Sequence, residues 1–262
     1  MNLPLDAPTF YDRLAPLFDV MTDWASRLEV EEPFLLQILE QIHAQTILDA
    51  ACGSGGHAVA LAERGYTVVG TDISPVMVDL ARAKANEAHD VSFHVAGLGE
   101  LGSRFPSFDA VLCLGNSLPH LLDEADLQRA LEDLVSSLRP GGALVLHNLN
   151  YDRRWRLRPR WFAVDSGTYQ GHQVLIWRFA DYVDQAEPRI NFHIAIFRET
   201  SKGEWSVEVN STPQRPLFHR DLARLLPAVG LTEIAYYGDL SGAPFVAEES
   251  PDLVVVARRA GD

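Results

Sequence analysis

Apolar and polar positions follow two different periods along this chain, and the change from one to the other divides it. Residues 8–44 carry apolar side chains at helical spacing, with Leu14, Leu17, Phe18 and Met21 on one face. Pro33 fits the first turn of a further helix running to about His43, where its missing N–H costs little. A short apolar run over 46–52 then ends in Gly53-Ser54-Gly55-Gly56, and helical spacing resumes through Ala58, Leu61 and Ala62. The order is strand, glycine turn, helix. Further strands are predicted over 66–71 (closed by Asp72), 91–95, 108–114 and 143–147. Between them, Ser74 caps a helix reaching Ala85 with Pro75 at its first position. Another helix, from Asp123 to Leu138, ends at Pro140-Gly141-Gly142. Strands alternating with helices imply a parallel sheet covered on both faces, because each parallel crossover needs a long connection.

After Asn150 the pattern breaks, and from about 160 to 213 the sequence alternates in period two. Strands are predicted over 173–179, 189–197 and 205–209, with a hairpin signal at Lys202-Gly203-Glu204. Helical spacing returns over 218–228, ended by Gly230, and two last strands follow at 231–237 and 252–258. The pattern is one α/β domain with a β-rich insertion after its fifth strand.

Composition sharpens this in two respects. Of 262 residues 47% are hydrophobic, enough for a full core, and 22 Lys plus Arg face 36 Asp plus Glu for a net charge of −14. Such a body repels phosphate backbones and anionic lipid, so nucleic acid is a poor partner. The two cysteines, Cys52 and Cys113, lie in apolar runs and form no disulfide framework or zinc spacing. They point to a cytoplasmic protein. The first ten residues lack the basic and apolar regions of a secretory signal, and no run of about 18 apolar residues predicts a membrane span. No His/Cys/Asp/Glu cluster has ligand spacing, so no metal is expected.

The glycine turn is the candidate ligand site. In an open parallel sheet, ligands bind outside the carboxyl ends of the strands, where strand order reverses. Gly53 to Ala58 also satisfies the dinucleotide fingerprint, with Asp72 at a suitable distance for a ribose-binding acid. Taken alone, the turn does not separate a nicotinamide enzyme from other adenosine binders. Asp49, just before the glycines, argues against a pyrophosphate and suits a ligand carrying an ammonium and a sulfonium. The Arg139-Pro140-Gly141-Gly142 turn before an apolar strand, and the closing helix with two strands, extend the pattern.

This ordered set resembles the class I S-adenosylmethionine-dependent methyltransferases over about residues 45–150 and 215–260. The stretches 108–121, Asn150-Tyr151-Asp152 and 11–19 resemble the glycine N-methyltransferase branch of small-molecule N-methyltransferases. The resemblance implies a Rossmann-like, doubly wound, mostly parallel seven-stranded sheet with helices on both faces. It implies an N-terminal helical lid (1–44), a cofactor-binding core (45–150 and 214–262) and an antiparallel β insertion (151–213) capping the substrate. It implies methyl transfer from S-adenosylmethionine, leaving S-adenosylhomocysteine, to a small molecule, N-methylation ahead of O-methylation. A non-catalytic binder of the same ligand and a nicotinamide-dependent oxidoreductase are the rival readings.

By the same resemblance, Asp72 takes the ribose hydroxyls, Gly53 and Gly55 with Ala51 admit the methionine portion, and Asp49 orients its ammonium. Ile73 and Met77 meet the adenine faces, and the Leu98 N–H an adenine nitrogen, with Gly97 where many relatives have an acid. Leu114, Gly115 and Asn116 line the sulfonium side, while Tyr11, His120 and Tyr151 are the candidate catalytic residues. Asn150, Trp177 and Arg178 are candidate substrate contacts, with Phe192 adding to an aromatic rim. Relatives bind an amino acid's carboxylate with an arginine just before Asn-Tyr-Asp, and Leu149 stands there. Glycine is therefore a poor acceptor unless Arg153, Arg156 or Arg178 takes over. The Arg153-Arg154-Trp155-Arg156 run through Arg160-Trp161 is the one basic, aromatic-interleaved patch, and reads as a solvated connector ahead of a contact for an anionic substrate. A neutral amine attacks directly, whereas a hydroxyl benefits from a base such as His120 or His147.

Overall fold

The computed structural model describes residues 4–85, 89–200 and 203–261. It opens with α1 (Ala7–Leu14), whose N-cap Asp6 accepts from the Thr9 N–H at 2.9 Å. A 3₁₀ turn leads to α2 (Phe18–Met21) and then to α3 (Trp24–Gln41), capped by Asp23. Pro33 lies inside α3 rather than at the start of a separate helix. Asp23 supplies the stronger start signal, and burial of Phe34, Leu35, Ile38 and Leu39 beyond the proline offsets one lost hydrogen bond.

The glycine turn joins β1 (Thr46–Ala50) to α4 (Gly56–Glu63), followed by β2 (Thr67–Asp72) and α5 (Pro75–Lys84). Ser74 caps α5 as the sequence predicts, accepting from the Met77 N–H at 3.1 Å. Next come β3 (Val91–Val95), α6 (Leu101–Arg104), β4 (Phe108–Cys113), α7 (Glu124–Ser136) and β5 (Leu138–Leu149). Here the prediction ran too far: α7 ends at Ser136 and the Arg-Pro-Gly-Gly turn is part of β5. Pairing with β4 slips between Phe108 and Ala110 to accommodate those residues, and Arg139 is tied to Asp109.

After β5 the chain makes α8 (Tyr151–Leu157), then β6 (Trp161–Tyr169), β7 (His172–Val183), β8 (Arg189–Glu199) and β9 (Trp205–Gln214). Neither α8 nor β6 was individually predicted. One is only seven residues long, and the other lies within the period-two region but runs from four apolar residues into Asp165-Ser166-Gly167-Thr168, without a clean alternation of its own. Lys202 of the hairpin signal lies outside the described residues. Finally α9 (His219–Ala228), β10 (Leu231–Tyr237) and β11 (Asp252–Arg259) complete the core.

The main sheet has seven strands in the order β10-β11-β5-β4-β1-β2-β3, and the second has four in the order β6-β7-β8-β9. β1 to β5 pair in parallel, whereas β11 and β10 are antiparallel. Every position of β4 is buried because both faces of the sheet are covered. One face packs Leu127, Leu131 and Leu134 of α7 with Leu222 of α9. The other packs Leu35 and Ile38 of α3, Leu61 of α4 and Val78 of α5. A third cluster seats Phe10 and Leu14 of α1 on Val174, Ile176, Ile194 and Ile196 of the second sheet. Strand order reverses between β1 and β4, so their carboxyl ends flank a crevice closed by α1 and the second sheet.

Candidate active site

A cavity of about 700 Å³ occupies that crevice and runs from the glycine turn to the inner face of the second sheet. Asp49, the penultimate residue of β1, lies near Asp72 at the end of β2, and both are buried. Asp72 is held by the backbone: the Gly53 N–H donates to Oδ2 and the Ser74 N–H to Oδ1, both at 2.9 Å. Burial raises its carboxyl above the ordinary range. Burial, reinforced by the negative Asp72, pushes Asp49 up to about 7, and its Oδ2 has no hydrogen-bond partner. Ala51 and Gly53 take positive φ values of 57° and 56°, which turn the chain under the cavity.

The adenine-side candidates also meet there. Ile73 is 49% exposed, unusual for an isoleucine in such a setting, and lines the cavity with Met77, Gly97 and Leu98. A Cβ on Gly97 would stand 3.2 Å from Ile73 Cδ1, so an acid at 97 would compete with that isoleucine for space. Leu114, Gly115 and Asn116 line the opposite wall at the end of β4. An unpartnered carboxylate oxygen, a backbone-held second acid and an open apolar slot together fit an ammonium, a ribose and an adenine.

Tyr11, His120 and Tyr151 come together as a neutral network. Tyr11 Oη lies 3.0 Å from His120 Nε2, and Gln214 Nε2 lies 3.3 Å from the same nitrogen. Tyr151 Oη donates to Gln214 Oε1 at 3.2 Å and accepts from Asn116 Nδ2 at 3.0 Å. Burial pulls His120 down to about 4 and raises both tyrosines, so all three are uncharged near neutral pH. His147 accepts from the Gly115 N–H through Nδ1 at 3.3 Å, and its Nε2 lies 3.5 Å from Asp252 Oδ2.

Three expected contacts lie elsewhere. Gly55 is spent on packing: a Cβ there would stand 2.7 Å from Ala81 Cβ and 2.9 Å from the Phe93 ring. Asn150 caps α8, and its Nδ2 donates to the Ala247 and Ser250 carbonyls, both at 2.9 Å. Trp177 points away from the cavity because β7 presents Arg178, Ala180 and Tyr182 inward and their neighbours outward. It stacks on Trp161 at 4.9 Å instead. Of the arginines named as stand-ins for the residue missing at Leu149, Arg178 lines the cavity, whereas Arg156 reaches out to the Glu248 carbonyl.

The sequence reading missed one polar group altogether. Arg27 Nε donates to both oxygens of Glu31 at 2.9 and 3.0 Å, and Glu31 lies 2.6 Å from His57 Nε2. Burial lowers His57, while Glu31 stays below its usual range because His57 and Arg27 outweigh its own burial. Arg27 and Glu31, one helical turn apart, are the available sequence signal, but nothing in it says that α3 crosses the glycine turn. Gln214 and Tyr182 were missed too, each placed on the cavity by tertiary contacts, and of the basic run at 153–156 it is Arg154 that lines the cavity.

Fold and site define a class, the Rossmann-like methyltransferases, with the cavity at the strand-order switch. Residues 47–142 match a family described as a methyltransferase domain. The chain is 31% identical over 252 residues to the glycine/sarcosine N-methyltransferase of Halorhodospira halochloris, spanning 94% of this chain and 87% of that one. It is 33% identical over 231 residues to the glycine/sarcosine N-methyltransferase of Parasynechococcus marenigrum, spanning 85% and 75%. Its fold superposes on an S-adenosylmethionine-dependent methyltransferase from Clostridium acetobutylicum with a TM-score of 0.77 at 14% identity, covering 96% and 99%. The chain therefore belongs to the S-adenosylmethionine-dependent methyltransferases, in the glycine/sarcosine N-methyltransferase branch.

Proposed function

We propose that this enzyme methylates the nitrogen of a small amine in a chamber shared by lid, core and second sheet. The carrying observation is the pair of buried acids, one with a free oxygen, at the end of a cavity whose far end is a neutral polar network. Asp49 holds the donor's ammonium, Asp72 its ribose hydroxyls, and Ile73 with Leu98 its adenine. Arg27, whose Nε alone is taken by Glu31, offers its remaining nitrogens to the donor's carboxylate. S-adenosylmethionine supplies a methyl group already activated by a sulfonium, so the protein contributes mainly alignment. Residues 1–44 act as the lid and 151–213 as the substrate cap.

Nitrogen is favoured over oxygen by the character of the network. A hydroxyl acceptor needs a base, and a histidine near 4 is a poor one. Tyr11 and Gln214, oriented by His120, offer oxygen lone pairs that aim an amine's N–H groups, while burial in the cavity favours its neutral, nucleophilic form. The acceptor is a small molecule rather than a nucleic acid, in keeping with the −14 charge. Two free buried thiols suit a reducing cytoplasm. Among the described residues, no helix is long and apolar enough to cross a membrane.

The test is calorimetric titration with S-adenosylhomocysteine and with NADH, for the wild type and Asp72→Ala, followed by label transfer from S-adenosylmethionine to a panel of amines. Homocysteine-ligand binding that falls about tenfold or more in the variant, with its fold intact, is expected. A change of less than a few fold places the ribose elsewhere. Ligand binding without transfer to any metabolite would favour a non-catalytic binder.

A further inference from the structure

Building on that reading, one feature of the acceptor end goes beyond it. The cavity is lined by three guanidinium groups, and they differ in how their charge is balanced. Arg27 is paired with Glu31 and Arg178 with Asp165, whose Oδ2 lies 3.0 Å from Arg178 Nη2. Arg154 forms no ion pair among the described residues, in a chain with far more acids than bases. Its carbon sits 5.0 Å from the centre of the Phe162 ring, and its charge counteracts the effect of burial on the Tyr182 hydroxyl. A partly buried cation held over an aromatic face keeps its place while its charge stays open to a ligand.

The position of Arg154 gives that charge a direction. It follows Tyr151 by three residues on α8, so both project from one face of the helix. Tyr151 links through Gln214 and His120 to Tyr11, and Arg154 lines the same cavity one helical turn further along α8. The lining shared by Tyr151 and Arg154 also holds the apolar Leu149, Ala180, Ile190 and Phe192. Leu149 carries no charge, and the neighbouring Arg178 leaves its buried Nε without a partner.

We propose that Arg154, seconded by Arg178, anchors a carboxylate on the acceptor. The preferred substrate is therefore an amine on an apolar body with the carboxylate at its far end, longer than glycine. The acceptor's charge supplies the counterion that Arg154 lacks, and Leu149 becomes part of the apolar wall.

Calorimetry on protein saturated with S-adenosylhomocysteine tests this without knowing the acceptor. The probes are 3-phenylpropionate and its uncharged amide, 3-phenylpropanamide, against wild type, Arg154→Gln and Arg154→Lys. The acid should bind the wild type on the order of ten- to a hundredfold more tightly than the amide. Arg154→Gln should abolish that preference, Arg154→Lys should keep part of it, and all three should bind S-adenosylhomocysteine alike. Equal binding of acid and amide to the wild type, or an unchanged preference in Arg154→Gln, overturns the anchor and leaves the methyltransferase intact. Loss of S-adenosylhomocysteine binding in the glutamine variant alone makes Arg154 a packing residue and also overturns it. Absence of that binding in the wild type overturns the parent reading and the anchor together.

Discussion

At the scale of single residues, Asp49 carries the sharpest consequence. Its carboxyl rises from 3.8 to about 7 in the folded chain, while the unfolded chain ionises at its ordinary value. The unfolded state therefore sheds this proton first, and Asp49 withdraws stability as pH climbs from about 4 to 7. A ligand ammonium beside Oδ2 favours the ionised form, so binding releases a proton. Affinity for S-adenosylhomocysteine should rise with pH up to about 7, by no more than about tenfold per unit from this group, and then level off. Asp49→Asn should bind more weakly above pH 7 and lose this slope, as calorimetry at several pH values would show. An unchanged slope in the variant would assign the pH dependence to another group. The sequence marked Asp49 and Asp72 because both end predicted strands, but not the neighbouring Arg27, Glu31 and His57. Those meet through contacts between α3 and α4 that no local pattern encodes.

At the scale of elements, the close approach of α3 to the glycine turn is the vulnerable point. A Cβ on Gly56, the first residue of α4, would fall 2.3 Å from the Trp24 ring, too near for any adjustment short of moving it. Trp24 in turn donates to Asp19 and Ser54 at 2.8 and 3.2 Å and packs edge-on against His57. Gly56→Ala should therefore cost about 1–3 kcal/mol in denaturant unfolding and weaken S-adenosylhomocysteine binding. Full stability in that variant would mean that Trp24 swings aside freely. The second sheet shows how far element reading goes. Period two over 173–179 and 189–197 was legible, yet which parity faces inward was not. Trp177 and Arg178, adjacent and so on opposite faces, are both sequence candidates for substrate contact, and the packing of α1 selected Arg178's side.

At the scale of the whole molecule, the cavity draws its walls from the N-terminal helices, the core sheet and the second sheet. A ligand that bridges them stabilises the folded chain as one unit. S-adenosylhomocysteine at a hundred times its dissociation constant adds about 2.7 kcal/mol, so Tm should rise by roughly 5–10 °C, with no rise from NADH. A rise with NADH instead would return the fold to the dinucleotide enzymes. The linear sequence by itself determined the parallel core, its glycine turn and the two acids at strand ends, because strand period, turn chemistry and helix caps are local properties. The continuous α3 through Pro33, the cap role of Asn150 and the outward face of Trp177 were decided only in three dimensions. So was the grouping of Arg154 and Arg178 around an apolar chamber. Each depends on which surfaces pack together, and burial between segments distant along the chain leaves no period in either one.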